Sequence, residues 1–89
     1  MSRLIIRNGR IVVSQKPSLG RIVLVNDPGH ESNGTTEHPA IINRVWSDVC
    51  VNLTVFPDCG TPYSKTSVVL HEDESTPPQP NEWRWPPRV

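Results

Sequence analysis

The residues of this chain with the greatest chemical reach are Arg44, Trp46, Asn52, Thr54, Phe56 and Tyr63, joined near the C-terminus by Arg84 and Arg88. Flat aromatic rings beside guanidinium forks are what a nucleotide-like ligand requires: a ring stacks on a base, and Arg pairs with phosphate through two parallel hydrogen bonds. These positions are the candidate ligand-binding residues. Each also has a structural use, since Trp46 can fill a core, Arg44 can pair with Asp48 or Asp58, and Asn52 can satisfy a turn.

Catalytic chemistry has less to stand on. An enzyme needs a nucleophile with a base, placed carboxylates, or a metal centre. His30, His38 and His71 with Cys50 and Cys59 are zinc-type ligands, but the Cys50-x8-Cys59 spacing followed by a distant His71 matches no compact zinc module. There is no Gly-x-Ser-x-Gly turn and no Gly-rich phosphate loop leading into a helix. The expectation is a non-enzymatic chain with no catalytic residue, metal or cofactor.

Charge narrows the partners. Nine basic and nine acidic side chains cancel, which argues against general nucleic-acid binding. Their distribution is uneven: Arg3, Arg7, Arg10, Lys16 and Arg21 precede any acidic residue, while Glu72, Asp73 and Glu74 form an acidic run. That division suits a solvated surface or head-to-tail pairing between copies. No apolar run approaches the roughly 18 residues of a membrane span and no signal peptide is apparent, so a soluble intracellular protein is expected. In that setting Cys50 and Cys59 read as free thiols, with a disulfide across a hairpin as the alternative. The acceptor patterns Asn33-Gly34-Thr35 and Asn52-Leu53-Thr54 are then accidental.

The elements that position these residues are strands. Leu4 to Val13 holds two β-branched runs around Asn8-Gly9, a dipeptide suited to a type I′ hairpin turn. Lys16 to Gly20 breaks the pattern. Strands follow at residues 21–25, 40–46, 50–56 and 66–71, with Ile42, Arg44 and Trp46 alternating against Ile41, Asn43 and Val45, and Val51, Leu53 and Val55 as core. Asn26 to His38 is a long polar loop, of a kind that is usually mobile or functional. Pro57 to Ser64 is a second loop. Prolines 77, 78 and 80 exclude helix and central strand from Glu72 to Glu82.

The fold class is therefore all-β: a small SH3-like barrel of about five strands preceded by an N-terminal β-hairpin. Its parts are a hairpin extension (1–16), a barrel core (20–71), a Pro-rich acidic connector (72–82) and a closing segment (83–89). A chain of 89 residues buries only roughly 60 to 65% of its unfolded surface, so a homo-oligomer is expected to supply further burial. Two of the three tryptophans, Trp83 and Trp85, sit in the closing segment and share one face of a strand, with Arg84 on the other. That much aromatic surface must dock, on this chain's barrel or a neighbour's, with Trp85 mainly structural.

Several segments together carry a family resemblance: Gly20-Arg21-Ile22-Val23, Pro39-Ala40-Ile41-Ile42, Arg44-Val45-Trp46, Val51-Asn52-Leu53, Val55-Phe56-Pro57-Asp58, Leu70-His71-Glu72-Asp73 and Trp83-Arg84-Trp85-Pro86-Pro87-Arg88. From Gly20 onward the chain resembles a widespread family of small phage-encoded β proteins of unknown function, whose most specific mark is the Trp-x-Trp-Pro ending. Many members of that family carry His where this chain has Arg84, and the hairpin of residues 4–13 is not a regular feature of it. The resemblance implies a viral accessory role in the host cytoplasm, and no reaction. Two functions fit. One is a counter-defence protein that sequesters a small nucleotide signal as an oligomer. The other is an adaptor or minor structural component that docks on a host or phage protein through its hairpin or tail.

Overall fold

The computed structural model describes the backbone of residues 2–7 and 10–87 and the side chains of residues 15–87. Asn8-Gly9 and Arg88 lie outside the described residues. Strands β1 (Ser2–Arg7) and β2 (Arg10–Gln15) pair antiparallel, from Ser2 opposite Gln15 to Arg7 opposite Arg10, and form a two-stranded sheet of their own.

The remaining strands are β3 (Ile22–Asn26), β4 (Glu37–Val45), β5 (Cys50–Val55), β6 (Tyr63–Leu70) and β7 (Glu82–Arg84), and they close into a five-stranded barrel in that order. This is the small SH3-like barrel expected from the strand pattern. Closure falls to β7, which pairs antiparallel with β3 and parallel with β6. The tail therefore completes its own chain's barrel.

Alternation builds the core. Val23 and Val25, Ala40 and Ile42, then Val51, Leu53 and Val55 point inward from successive strands, and Val68 and Trp83 complete the cluster. Trp83 is fully buried and its indole Nε1 donates to the Val49 carbonyl at 3.0 Å, so its bulk and its polar edge are both accommodated. Truncating it to Ala would cost about 3–5 kcal/mol by cavity formation. Trp85 packs on the same cluster and meets Trp83 edge to face at 5.2 Å, as expected of two tryptophans on one face.

The strand limits differ from those read in the sequence where polar residues occupy inward positions. β4 starts at Glu37, before Ala40, because His38 occupies the inner position two residues earlier and is itself buried. β6 starts at Tyr63, before Thr66, because Tyr63 and Lys65 lie opposite the inward Val55 and Leu53. The Asn26–His38 segment is not structureless. It holds a 3-10 turn at Pro28–His30 and a tight reversal in which Ser32 pairs with Thr35 across Asn33 (φ +50°) and Gly34 (φ +84°). Positive φ at both central residues is the type I′ condition.

Two bulges set which face each side chain takes. The β4–β5 register slips between Ile42 and Arg44, so Arg44 sits opposite Asn52, and Val45, not Arg44, opposes the inward Val51. The simple alternation that put Ile42 and Arg44 on one face is thus interrupted at Asn43, as a bulge requires. A second slip between Val51 and Leu53 leaves Ser67 at φ +55° in β6.

Candidate functional site

On the outer face of β4 and β5 the bulge brings Arg44, Trp46 and Asn52 together. The Arg44 guanidinium lies 4.1 Å over the Trp46 ring, a cation–π contact on an indole that remains 54% exposed. The Trp46 Nε1–H donates to Asn52 Oδ1 at 2.9 Å, and the same oxygen accepts the Ser67 amide at 2.8 Å. Asn52 thereby plugs the β6 bulge and fixes the indole's orientation. Asp48 lies 3.9 Å from Lys16 and Asp58 accepts from Asn33, so among the described residues neither carboxylate pairs with Arg44. Thr54, one pleat along, accepts from Asn43 at 2.8 Å. Phe56 continues this face beyond the strand end, 37% exposed.

Tyr63 belongs to a different place. It points to one end of the barrel, where its hydroxyl donates to Asp27 Oδ2 at 2.6 Å. Asp27 is almost fully buried, and its Oδ2 also receives Lys65 Nζ at 3.4 Å and His30 Nδ1 at 3.0 Å. A ring nitrogen facing a carboxylate carries the proton, so in the neutral form of the ring it is Nε2 that accepts. The His30 and Tyr63 rings stack at 4.0 Å. Beneath them His38, 1% exposed, bonds through Nε2 to the His30 carbonyl at 2.6 Å, while its Nδ1 has no hydrogen-bond partner among the described residues.

The electrostatics follow from these contacts. Burial pushes the Asp27 carboxyl up, but the Tyr63 hydrogen bond and the nearby Lys65, with His30 beside it, outweigh burial and hold the group below its ordinary value. Burial, and then the hydrogen bond and charge of Asp27, push the Tyr63 phenol far above its usual range. At neutral pH the cluster is therefore a carboxylate under an ammonium and a neutral phenol. A shallow cleft of about 150 Å³ opens beside it, lined by His30, Glu31, Ser32, Cys59, Thr61 and Tyr63 among others. No family model, curated protein or solved structure matches this chain, so function is argued from these side chains.

The tail arginine has a structural engagement. Arg84 donates from Nε and Nη2 to the two carboxylate oxygens of Glu37 at 2.7 and 2.8 Å, a fork that ties β7 to β4 across Leu24. Its guanidinium is held charged above its ordinary range by that bond. Of the sequence candidates, Arg44, Trp46 and Asn52 meet with Thr54 and Phe56 on the same face, Tyr63 lies in the barrel-end cluster, and Arg84 serves closure. Cys50 and Cys59 are both free thiols.

Sequence reasoning passed over the group around Asp27. Asp27 and His30 are neighbours, but Tyr63 and Lys65 lie far along the chain from them, and no spacing rule links the two pairs. The one usable signal was Asn33-Gly34, a turn dipeptide that folds the long polar segment back toward the loop after β5. There Ser32 Oγ accepts the Cys59 amide at 3.0 Å and donates to its carbonyl at 3.3 Å.

Proposed function

We propose that this protein is a non-enzymatic binding barrel that captures a small nucleotide through the outer face of β4 and β5. The observation that carries this reading is the exposed Arg44–Trp46 stack, with its indole already oriented by Asn52. A guanidinium held flat on an indole offers a planar surface for a base and unspent N–H donors for phosphate. The indole has few rotamers left to lose on binding, which lowers the entropic cost of recognition. The face is open on one copy, so a second copy laid across it would enclose the ligand; a homo-oligomer is part of the proposal. A counter-defence role in an infected cell is the setting that the phage-family resemblance implies.

The test is a panel of cyclic dinucleotides and mononucleotides, read by thermal shift and by mass of the oligomer. A ligand that binds only the native state adds RT ln(1 + [L]/Kd) to stability, about 2.7 kcal/mol at a hundredfold excess over Kd. At least one nucleotide should raise the Tm of the wild type and leave Trp46→Ala unmoved; a flat response across the panel sinks the proposal. The adaptor reading keeps one structural support, the separate β1–β2 sheet, whose strands have no further pairing among the described residues. A single stoichiometric partner lost on deleting residues 1–15 would favour it.

A further inference from the structure

We propose that the cleft beside Asp27 is a second binding site, distinct from the Arg44–Trp46 face, and that it receives a cationic side chain, guanidinium or ammonium, presented by a partner polypeptide. Size comes first. Sites for drug-sized ligands occupy roughly 300–1,000 Å³, and this cleft holds about 150 Å³. It is the size of one side chain and smaller than a nucleotide needs.

Its chemistry selects a donor. His30 is fixed on three sides: its Nδ1 bonds to Asp27, one ring face stacks on Tyr63, and its carbonyl is held by buried His38. What remains, on a side chain 55% exposed, is Nε2, an acceptor in the neutral ring whose Nδ1–H is given to Asp27. Glu31 adds a carboxylate to the same lining. The hydroxyl of Ser32 is occupied by Cys59, which leaves His30 Nε2 and the Glu31 carboxylate as the acceptors of the lining.

Charge selects a cation among donors. Asp27 is balanced by Lys65, while Glu31 on the lining and Asp58 on the adjoining loop carry no basic partner among the described residues. The rim is therefore net negative. The two loops that form the walls are tied by Ser32 to Cys59 and by Asn33 to Asp58 at 2.6 Å, so the cleft exists before anything enters it. A preformed acceptor, an aromatic wall and a negative rim together describe a receptor for a basic side chain.

The experiment uses the whole protein and three probes: Nα-acetyl-arginine methylamide, the lysine analogue and the neutral norleucine analogue, titrated while the amide shifts of Ser32, Gly60 and Thr61 and the His30 ring are followed by NMR. Arginine, lysine or both should move these signals saturably and norleucine should not, and added NaCl should weaken the effect. Glu31→Gln, at an exposed position that leaves the fold intact, should weaken binding about threefold, as an exposed ion pair does. His30→Phe keeps a ring on Tyr63 and removes Nε2, and should weaken it further. Equal shifts with norleucine, no saturation with either cation, or unchanged affinity in both variants would overturn the site.

Discussion

The barrel end around Asp27 and the outer face around Trp46 are built in opposite ways. At the barrel end, side chains from the Pro28–His30 turn and from β6 converge on one carboxylate oxygen, and every contact spans a large stretch of chain except the His30 bond. On the outer face, Arg44, Trp46 and Asn52 come from one hairpin and touch in pairs. The first region is tied together because its members share one buried acceptor, so removing Asp27 strands Tyr63, Lys65 and His30 at once. The second is oriented but exposed, so its members are worth little to the fold and are available to a ligand. Substitutions separate the two regions by size of effect.

The largest effect belongs to Asp27. Replacing it with Ala leaves Lys65, Tyr63 and His30 without their shared acceptor, and breaking a buried pair of this kind costs about 3 kcal/mol. For a domain of this size that lowers the Tm by roughly 15 °C, a drop that differential scanning calorimetry reads directly. Because the folded carboxyl lies below its ordinary value of 3.8, its contribution is whole above that pH and is lost as pH falls through the folded value. The wild type should therefore lose stability in acid, and Asp27→Ala should show a flatter acid limb. A loss under about 1 kcal/mol would place the cluster with the outer face instead.

Tyr63→Phe is the milder cut. It keeps the ring stack on His30 and removes one hydrogen bond to a charged acceptor, for which about 1.5 kcal/mol is expected from urea unfolding. The two substitutions share Oδ2, so the double variant should cost less than their sum. Strict additivity would mean that the phenol and the carboxylate do not stabilise each other.

The contrast also explains what could be read from the sequence. Val51, Leu53 and Val55 were legible as core, and the barrel with its Trp-bearing closing strand was legible from strand count and from the proline break before it, because period-two alternation and proline geometry act locally. Arg44, Trp46 and Asn52 were legible as a group because they lie within one hairpin. The bulge at Asn43 that turns Arg44 outward was not, since nothing in residues 40–46 marks where the register slips. His38 and Tyr63 were read as loop residues because polar residues break an apolar alternation; only the folded barrel shows His38 bonded to the His30 carbonyl and Tyr63, with Lys65, on Asp27. Arg84 looked available for the same reason in reverse, because Glu37, its partner, is distant in sequence.

His71 gives a pH effect of the opposite sign from Asp27. Burial lowers its affinity for a proton, but the Thr76 carbonyl and the Glu82 carboxylate, on its two nitrogens at 2.9 Å each, outweigh burial and raise it above the ordinary 6.5. A raised value contributes stability that is complete below pH 6.5 and fades as pH rises through the folded value. The connector should therefore be held more tightly at pH 6 than at pH 8, seen as faster amide exchange over residues 72–82 at the higher pH after correction for intrinsic rates. His71→Gln should abolish the difference; if it persists, another group closes the connector.

The smallest expected change in stability is at the residue on which the proposed nucleotide site rests. Trp46→Ala removes an indole whose ring is largely in water and whose one hydrogen bond goes to Asn52, an atom that still accepts from Ser67. Surface substitutions of this kind fall within about 0.5 kcal/mol, and the chemical denaturation midpoint should scarcely move. Asn52→Ala should cost more, about 1 kcal/mol, because the Ser67 amide loses its acceptor inside the bulge. If Trp46→Ala instead destabilised the barrel as strongly as Tyr63→Phe, the outer indole would be part of the scaffold, and the case for a ligand on that face would fall with it.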